Sequence, residues 1–253
     1  VEDFVKVSVQ FAGQSWVERF ERLSKRYRVN ALTNENYLGY NDLFTLQSKV
    51  IFGASVIRAA QYHTQPSLLT VLSGVDLKRA EGGTRDTLRF WPTPNSHVNI
   101  NPDLFLPPNT VTEVGFMQHA VVPKTADRPV LFLMLAEACH LNQLDQDKIQ
   151  QLLKARFEEE PDSYSALEIG ESILVACNTE TTMIETVKLL RNFLRSAEGL
   201  KITLHAGPTC RENGAVRGET IETLRALCSY SPRGAISASG HVAALLALDT
   251  QSF

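Results

Sequence analysis

Two stretches of this chain, about 165 residues apart, carry the same punctuation, and that echo constrains the fold more than any other feature. The first begins at Lys6-Val-Ser-Val-Gln-Phe-Ala-Gly13, resumes at Gly53-Ala-Ser-Val-Ile-Arg-Ala-Ala60 and ends at Pro66 to Ser73-Gly74. The second begins at Lys201-Ile-Thr-Leu-His-Ala-Gly207, resumes at Gly218-Glu-Thr-Ile-Glu-Thr-Leu-Arg225 and ends at Pro232 to Ser239-Gly240. In both, the glycine stands three residues before a β-branched apolar residue and the proline seven before Ser-Gly. Self-similarity at long spacing marks two related units in one chain.

With 253 residues, the chain has room for one large domain or two modest ones. Hydrophobic residues make 43% and charged residues 21%, the composition of an ordinary globular protein. A net charge of −3 leaves no electrostatic footprint for nucleic acid. The longest apolar run, 130–136, is strand-sized, far short of the roughly 20 residues a membrane helix needs. No basic, apolar leader opens the chain, which starts at Val1 rather than Met and so reads as a piece of something longer. Cys139, Cys177, Cys210 and Cys228 are scattered without a Cys-x-x-Cys pair, which argues against zinc, redox or disulfide roles and fits a reducing cytoplasm.

The first unit, 1–91, reads as a strand at 4–11 and then a helix in which Trp16, Phe20 and Leu23 form one apolar stripe. Ser15 with Glu18 three residues on suggests the capping box. A loop at 30–41, a helix at 54–63, strands at 68–72 and 87–91 and a Gly82-Gly83 turn complete it. Six of the eleven prolines fall in 92–127, which reads as an extended connector packed along the surface. The second unit, 128–253, alternates as strand 130–136, helix 147–157, strands 166–169 and 172–176 around Gly170-Glu171, helix 182–194 and strand 201–204. Helix 220–228, strand 235–238 and helix 241–248 follow. The order β-α-β-β-α-β with an extension is an α+β, ferredoxin-like pattern.

That order and punctuation resemble the class III nucleotide cyclase homology domain, the catalytic fold of adenylyl and guanylyl cyclases. Val130-Leu-Phe-Leu-Met-Leu135 looks like the family's V-x-F-A-D-I strand, and Glu168-Ile-Gly-Glu-Ser-Ile-Leu-Val175 like its G-D hairpin. Lys201-Ile-Thr-Leu-His-Ala-Gly-Pro208 is similar to R-I-G-I-H-x-G-P. Gly218 to Ser239 follows G-x-x-V-N-x-A-A-R-L and P-G-x-I-x-x-S. The resemblance covers about 125 residues of the second unit. The first unit matches the second half of such a domain, so the resemblance implies tandem copies with the first incomplete.

The same resemblance implies that catalysis is gone. Family members hold two metal ions with two carboxylates that activate a ribose hydroxyl and neutralise a triphosphate. Those positions fall on Met134 and Glu171. A thioether is no ligand for hard Mg²⁺, and one carboxylate cannot clamp two metals. The transition-state Asn and Arg positions are Glu222 and Ala226, with Arg225 one residue off register and so turned by roughly 100°. In the first unit they are Ile57 and Gln61, and the base-selecting Lys position is Leu167. No catalytic residue, metal or cofactor is therefore expected, and Glu171 reads as a solvated hairpin tip.

Three functions follow as alternatives. The first is a catalytically inactive pseudocyclase acting in regulation or assembly by domain pairing, with a protein partner and a nucleotide as candidate ligand. The second is an active cyclase using Mg²⁺ or Mn²⁺ and ATP or GTP, its carboxylates supplied by a missing segment or another chain. The third is an unrelated α+β binding domain, or a diguanylate cyclase-like fold, to which Gly170-Glu171-Ser-Ile is a poor match. His205 reads as a packed strand histidine and Glu158-Glu-Glu160 as a solvated helix end. Phe11-Ala-Gly-Gln14 resembles an acyltransferase opening, but the nucleophile elbow is absent.

Overall fold

The computed structural model describes residues 5, 9–27, 31–33, 41–72, 88–91, 96–105, 129–138, 140–196 and 199–249. The chain divides into two compact units, 1–34 and 35–253.

In the smaller unit, α1 (Gln14–Arg26) follows a short 3-10 turn at Gln10–Ala12. Of the strand expected at 4–11, residues 4 and 6–8 lie outside the described residues, while Val5 and Val9 are helical and Gln10 and Phe11 enter this turn, so the described part is not a strand. Ser15 does not cap the helix. Gly13 does, at φ 104°, a left-handed conformation that starts the helix one residue before serine and leaves Ser15 in the first turn.

The larger unit is built on a five-stranded mixed sheet in the order β4-β5-β3-β6-β9. These strands are β3 (Val130–Glu137), β4 (Tyr164–Ile169), β5 (Ser172–Cys177), β6 (Lys201–Pro208) and β9 (Ile236–Ala238). The apolar run of β3 takes the middle, antiparallel to both β5 and β6, because only a central strand buries both of its faces. Four helices come between or after the strands: α3 (Gln143–Glu159), α4 (Glu180–Ser196), α5 (Glu219–Tyr230) and α6 (Gly240–Asp249). The sequence thus runs β-α-β-β-α-β before its extension, a mixed α+β fold.

Alternation along β3 sorts its side chains between two faces. Leu131, Leu133 and Leu135 pack with Leu174 and Ala176 against Ile221, Leu224 and Cys228 of α5. Burying each such leucine stabilises by about 1.5–3 kcal/mol. The expected helices prove longer than their periodic cores. Asn142 caps α3 by accepting from the Asp145 N–H at 2.9 Å, which starts it well before 147.

Between β6 and α5 an antiparallel hairpin, β7 (Cys210–Glu212) and β8 (Ala215–Arg217), has no counterpart among the sequence expectations. Asn213 (φ 52°) and Gly214 (φ 81°) form its two-residue turn, the chemistry of a type I′ hairpin. It sits against the outer strand β4: Glu168 accepts from the Val216 N–H at 2.9 Å, and Arg211 donates to the Ser165 carbonyl. A charged side chain and a hairpin thereby protect an otherwise open edge.

N-terminal to the sheet lie α2 (Asn41–Gln61) and a parallel pair, β1 (Leu68–Val71) with β2 (His97–Ile100). The helix expected at 54–63 begins more than three turns earlier, so Gly53 lies in its interior. It packs along α6. The strand expected at 87–91 is instead a helical turn at Leu88–Arg89. That turn carries Trp91 into a cluster with Phe52, Val56 and Leu248, its ring edge-on to Phe52 at 5.0 Å. β2 falls within the stretch expected as connector, and Gly82-Gly83 lies outside the described residues. Among the described residues no helix is long and apolar enough to cross a membrane.

Candidate functional site

Strand register places the candidate positions in two groups. Leu167 of β4 pairs with Val175, Val175 with Met134, and Met134 with Leu204. Directly paired residues share a face, so these four form one row across the sheet. The row is apolar throughout, and Met134 at its centre is 0% exposed. Sequence alone named Met134 and Leu167 as separate candidate positions; the fold brings them together.

The other face carries the second group. Leu135, Leu174, Ile221 and Leu224 floor a cleft of about 340 Å³ beside the β4–β5 hairpin. Glu168, Glu171, Ser172 and Arg225 complete its rim. Met134 does not line it, because adjacent strand residues point to opposite faces. Glu171 is exposed at the hairpin turn, as expected. Glu222 is also exposed and accepts from Arg225 Nη1 at 3.3 Å, while Ala226 faces solvent. Arg225, set aside in the sequence as off register, is the cation that reaches the cleft. Glu168 was missed; its carboxylate is engaged by the β8 backbone.

Ile57 and Gln61 sit one turn apart on α2, and neither lines the cleft. Gln61 Oε1 accepts from Arg58 at 3.3 Å.

His205 is 6% exposed and packed, as its strand position suggested. Its Nδ1 lies 2.9 Å from Ser239 Oγ, and its ring stacks on His241 at 5.7 Å. Ser239 Oγ also accepts from the Val242 N–H at 3.3 Å, capping α6. Burial, with His241 adding to it, pushes the His205 pKa down to about 4 from 6.5, against an opposing pull from Glu219. A histidine neutral when folded but protonated when unfolded makes stability fall with pH. His205 therefore contributes in full above about pH 6.5, and that contribution is lost between pH 6.5 and 4. The whole shift amounts to about 3 kcal/mol. Urea midpoints should fall over that window in the wild type and fall less in His205→Gln. A residual slope will remain, because burial also lowers the His241 pKa.

The sequence matches no family model and no curated protein. Among solved structures, it is similar to an adenylate/guanylate cyclase/hydrolase from Silicibacter pomeroyi, at 16% identity and a TM-score of 0.34 over 46% of this chain and 79% of that one. The catalytic core of a rhodopsin–guanylyl cyclase with converted specificity, in complex with ATPαS, gives 13%, 0.39, 47% and 81%. A monomeric guanylyl cyclase domain of a rhodopsin fusion protein from the aquatic fungus Blastocladiella emersonii gives 14%, 0.38, 47% and 85%.

Proposed function

We propose that residues 128–253 form a ferredoxin-like, class III cyclase-homology domain that has lost its chemistry. It acts in the cytoplasm in regulation or assembly, by pairing with a protein partner or within the chain. A nucleotide bound without turnover is its candidate ligand. The observation that carries this reading is the row Leu167–Val175–Met134–Leu204. Where the family pattern calls for a metal carboxylate and a base-selecting lysine, this chain packs a thioether and an isobutyl group into an apolar face. These residues do not fit a two-metal clamp: the row offers no oxygen donor, and Glu171 stands apart at the hairpin turn.

The tandem part of the reading rests on the echo. Helix α2 precedes β1 in the first copy as α5 precedes β9 in the second. The copies also differ: the described partner of β1 is β2, and Gly53 lies inside its helix while Gly218 caps α5. The connector at 92–127 and the incomplete unit at 1–91 are part of the same proposal.

Purified protein incubated with ATP or GTP and Mn²⁺ should form neither cAMP nor cGMP. Measurable cyclic nucleotide would sink the reading in favour of an active cyclase whose carboxylates come from elsewhere. A nucleotide that stabilises the protein in a thermal-shift series without turnover would identify the ligand. At 100 times its dissociation constant it would add about 2.7 kcal/mol.

A further inference from the structure

Asn213 precedes Gly214, the one Asn-Gly step in the chain. The pair forms the two-residue turn of the β7–β8 hairpin, with both residues at positive φ. The ladder joins Cys210 to Arg217, Arg211 to Val216 and Glu212 to Ala215, so the turn itself lies outside it. Both turn residues are exposed, and among the described residues no hydrogen bond engages the Asn213 side chain. Asn99, Asn142 and Asn178 differ, because each has its side-chain amide tied into a hydrogen bond.

Asparagine is a chemically labile residue, and this turn presents it to its own backbone. The Gly214 nitrogen can reach Asn213 Cγ by closing a small ring. Glycine has no Cβ, so nothing on residue 214 hinders that approach. Each strand of the hairpin has three residues, and so short a pair opens readily, which lets Asn213 rotate into the attacking geometry. Hydroxide takes the proton of the Gly214 amide, and its nitrogen bonds to Asn213 Cγ. The Cγ–Nδ2 bond breaks, and Nδ2 leaves as ammonia with a proton from water. Water then opens the cyclic imide at one of its two carbonyls. Breaking the new N–Cγ bond leaves aspartate at 213. Breaking the bond from the Gly214 nitrogen to the main-chain carbonyl carbon leaves isoaspartate, in which the chain runs through Cγ.

The consequence falls on β4. Val216 N–H of β8 donates to Glu168 at 2.9 Å, and Arg211 of β7 donates to the Ser165 carbonyl. These bonds hold the hairpin over the sheet edge. Isoaspartate lengthens the backbone by a methylene, and turn length sets the register of a hairpin. The Glu212–Ala215 pair beside the turn goes first, and Val216 then loses its hold on Glu168. Either product also puts a new carboxylate next to Glu212, in a chain whose net charge is already −3.

We infer that Asn213-Gly214 is a self-modification site, where asparagine converts to aspartate and isoaspartate and loosens the guard over the β4 edge as the protein ages. The proposal stands apart from the function proposed above, since it needs only the hairpin and solvent water.

The full chain, held at body temperature at neutral and at mildly alkaline pH, is mapped by peptide mass over time. Residue 213 should gain the mass difference between –NH2 and –OH ahead of Asn99, Asn142 and Asn178, with isoaspartate exceeding aspartate. The rate should rise in proportion to hydroxide concentration. Asn213→Gly keeps a turn that accepts positive φ, so it should melt near wild type and give no such product at 213. The isoaspartate fraction, separated by anion exchange, should lose amide-exchange protection at Val216. Fresh Asn213→Asp, whose backbone length is unchanged, should keep it. Three results would overturn the proposal. One is Asn213 intact when Asn142 or Asn178 has converted. Another is equal Val216 protection in fresh and isoaspartate protein. The third is full loss of that protection in Asn213→Asp, since the lengthened backbone would then not be the cause.

Discussion

Met134→Asp should unfold the unit built on the five-stranded sheet rather than create a metal site there. Position 134 is 0% exposed and paired in register with Val175 and Leu204, so the new carboxylate would find apolar neighbours on both sides. An ionised group buried without a partner costs about 3–5 kcal/mol. That is a large part of the 5–15 kcal/mol that holds a typical domain together. The carboxyl would relieve the strain by staying protonated, with its pKa raised above the unfolded value. Its folded state then binds more protons than the unfolded state, so the penalty should shrink as pH falls towards the unfolded value of about 3.9. Met134→Leu keeps volume and polarity and should lose less than about 1.5 kcal/mol. Urea titrations of both variants at pH 7 and pH 5, each read against wild type at the same pH, separate the two effects. A Met134→Asp protein as stable as wild type that gains Mn²⁺ affinity would show that the centre of β3 is open to metal, and the pseudocyclase reading would fall.

The sequence revealed the parts whose signals are local. The run at 130–136 has the length and uniform hydrophobicity of a strand buried on both faces, and β3 occupies Val130–Glu137 at the centre of the sheet. Gly170-Glu171 between two apolar runs marked the β4–β5 hairpin, and the Met183–Leu190 periodicity marked α4, where both residues are fully buried. One local signal was there and went unused: Asn213-Gly214 is a strong two-residue hairpin signature, and it forms the β7–β8 turn.

Other features were illegible because tertiary packing decides them. Residues 87–91 look extended in sequence, yet the chain curls at 88–90, since Trp91 gains more from filling the Phe52 cluster than from lying in a strand. Ser15 is the better N-cap residue by type, but Gly13 wins because its backbone turns in before serine is reached. At the site, the apolar character of Met134 and Leu167 was readable one position at a time. Their meeting in one cross-strand row depends on register, and so does the separation of that row from the cleft holding Glu168 and Arg225.

Gly53 sets the second large expectation. Matched to Gly218 in the sequence echo, it lies inside α2, where glycine is normally unfavourable by about 1 kcal/mol relative to alanine. Its reason for being there is space. A Cβ at position 53 would stand 1.8 Å from the Ala244 carbonyl oxygen, 2.4 Å from its carbon and 2.9 Å from its Cα. Those are backbone atoms of α6, so no rotamer change can relieve the clash; α2 and α6 must move apart. Separation would pull Phe52 and Val56 from Trp91 and Leu248, because they flank Gly53 on the same helix. Overpacking of this kind costs about 1–3 kcal/mol and more where backbone must shift. Gly53→Val should thus destabilise by about 3 kcal/mol or more, and Gly53→Ala by a smaller amount still of the same sign. Ala54→Val, on the exposed side of the helix, should change stability by only about 0.5 kcal/mol. Urea unfolding of the three variants tests this, with amide exchange in α6 as a second readout. Helix propensity alone predicts that Gly53→Ala stabilises, so the sign of that one substitution decides whether the close approach of α2 and α6 is what this glycine is for.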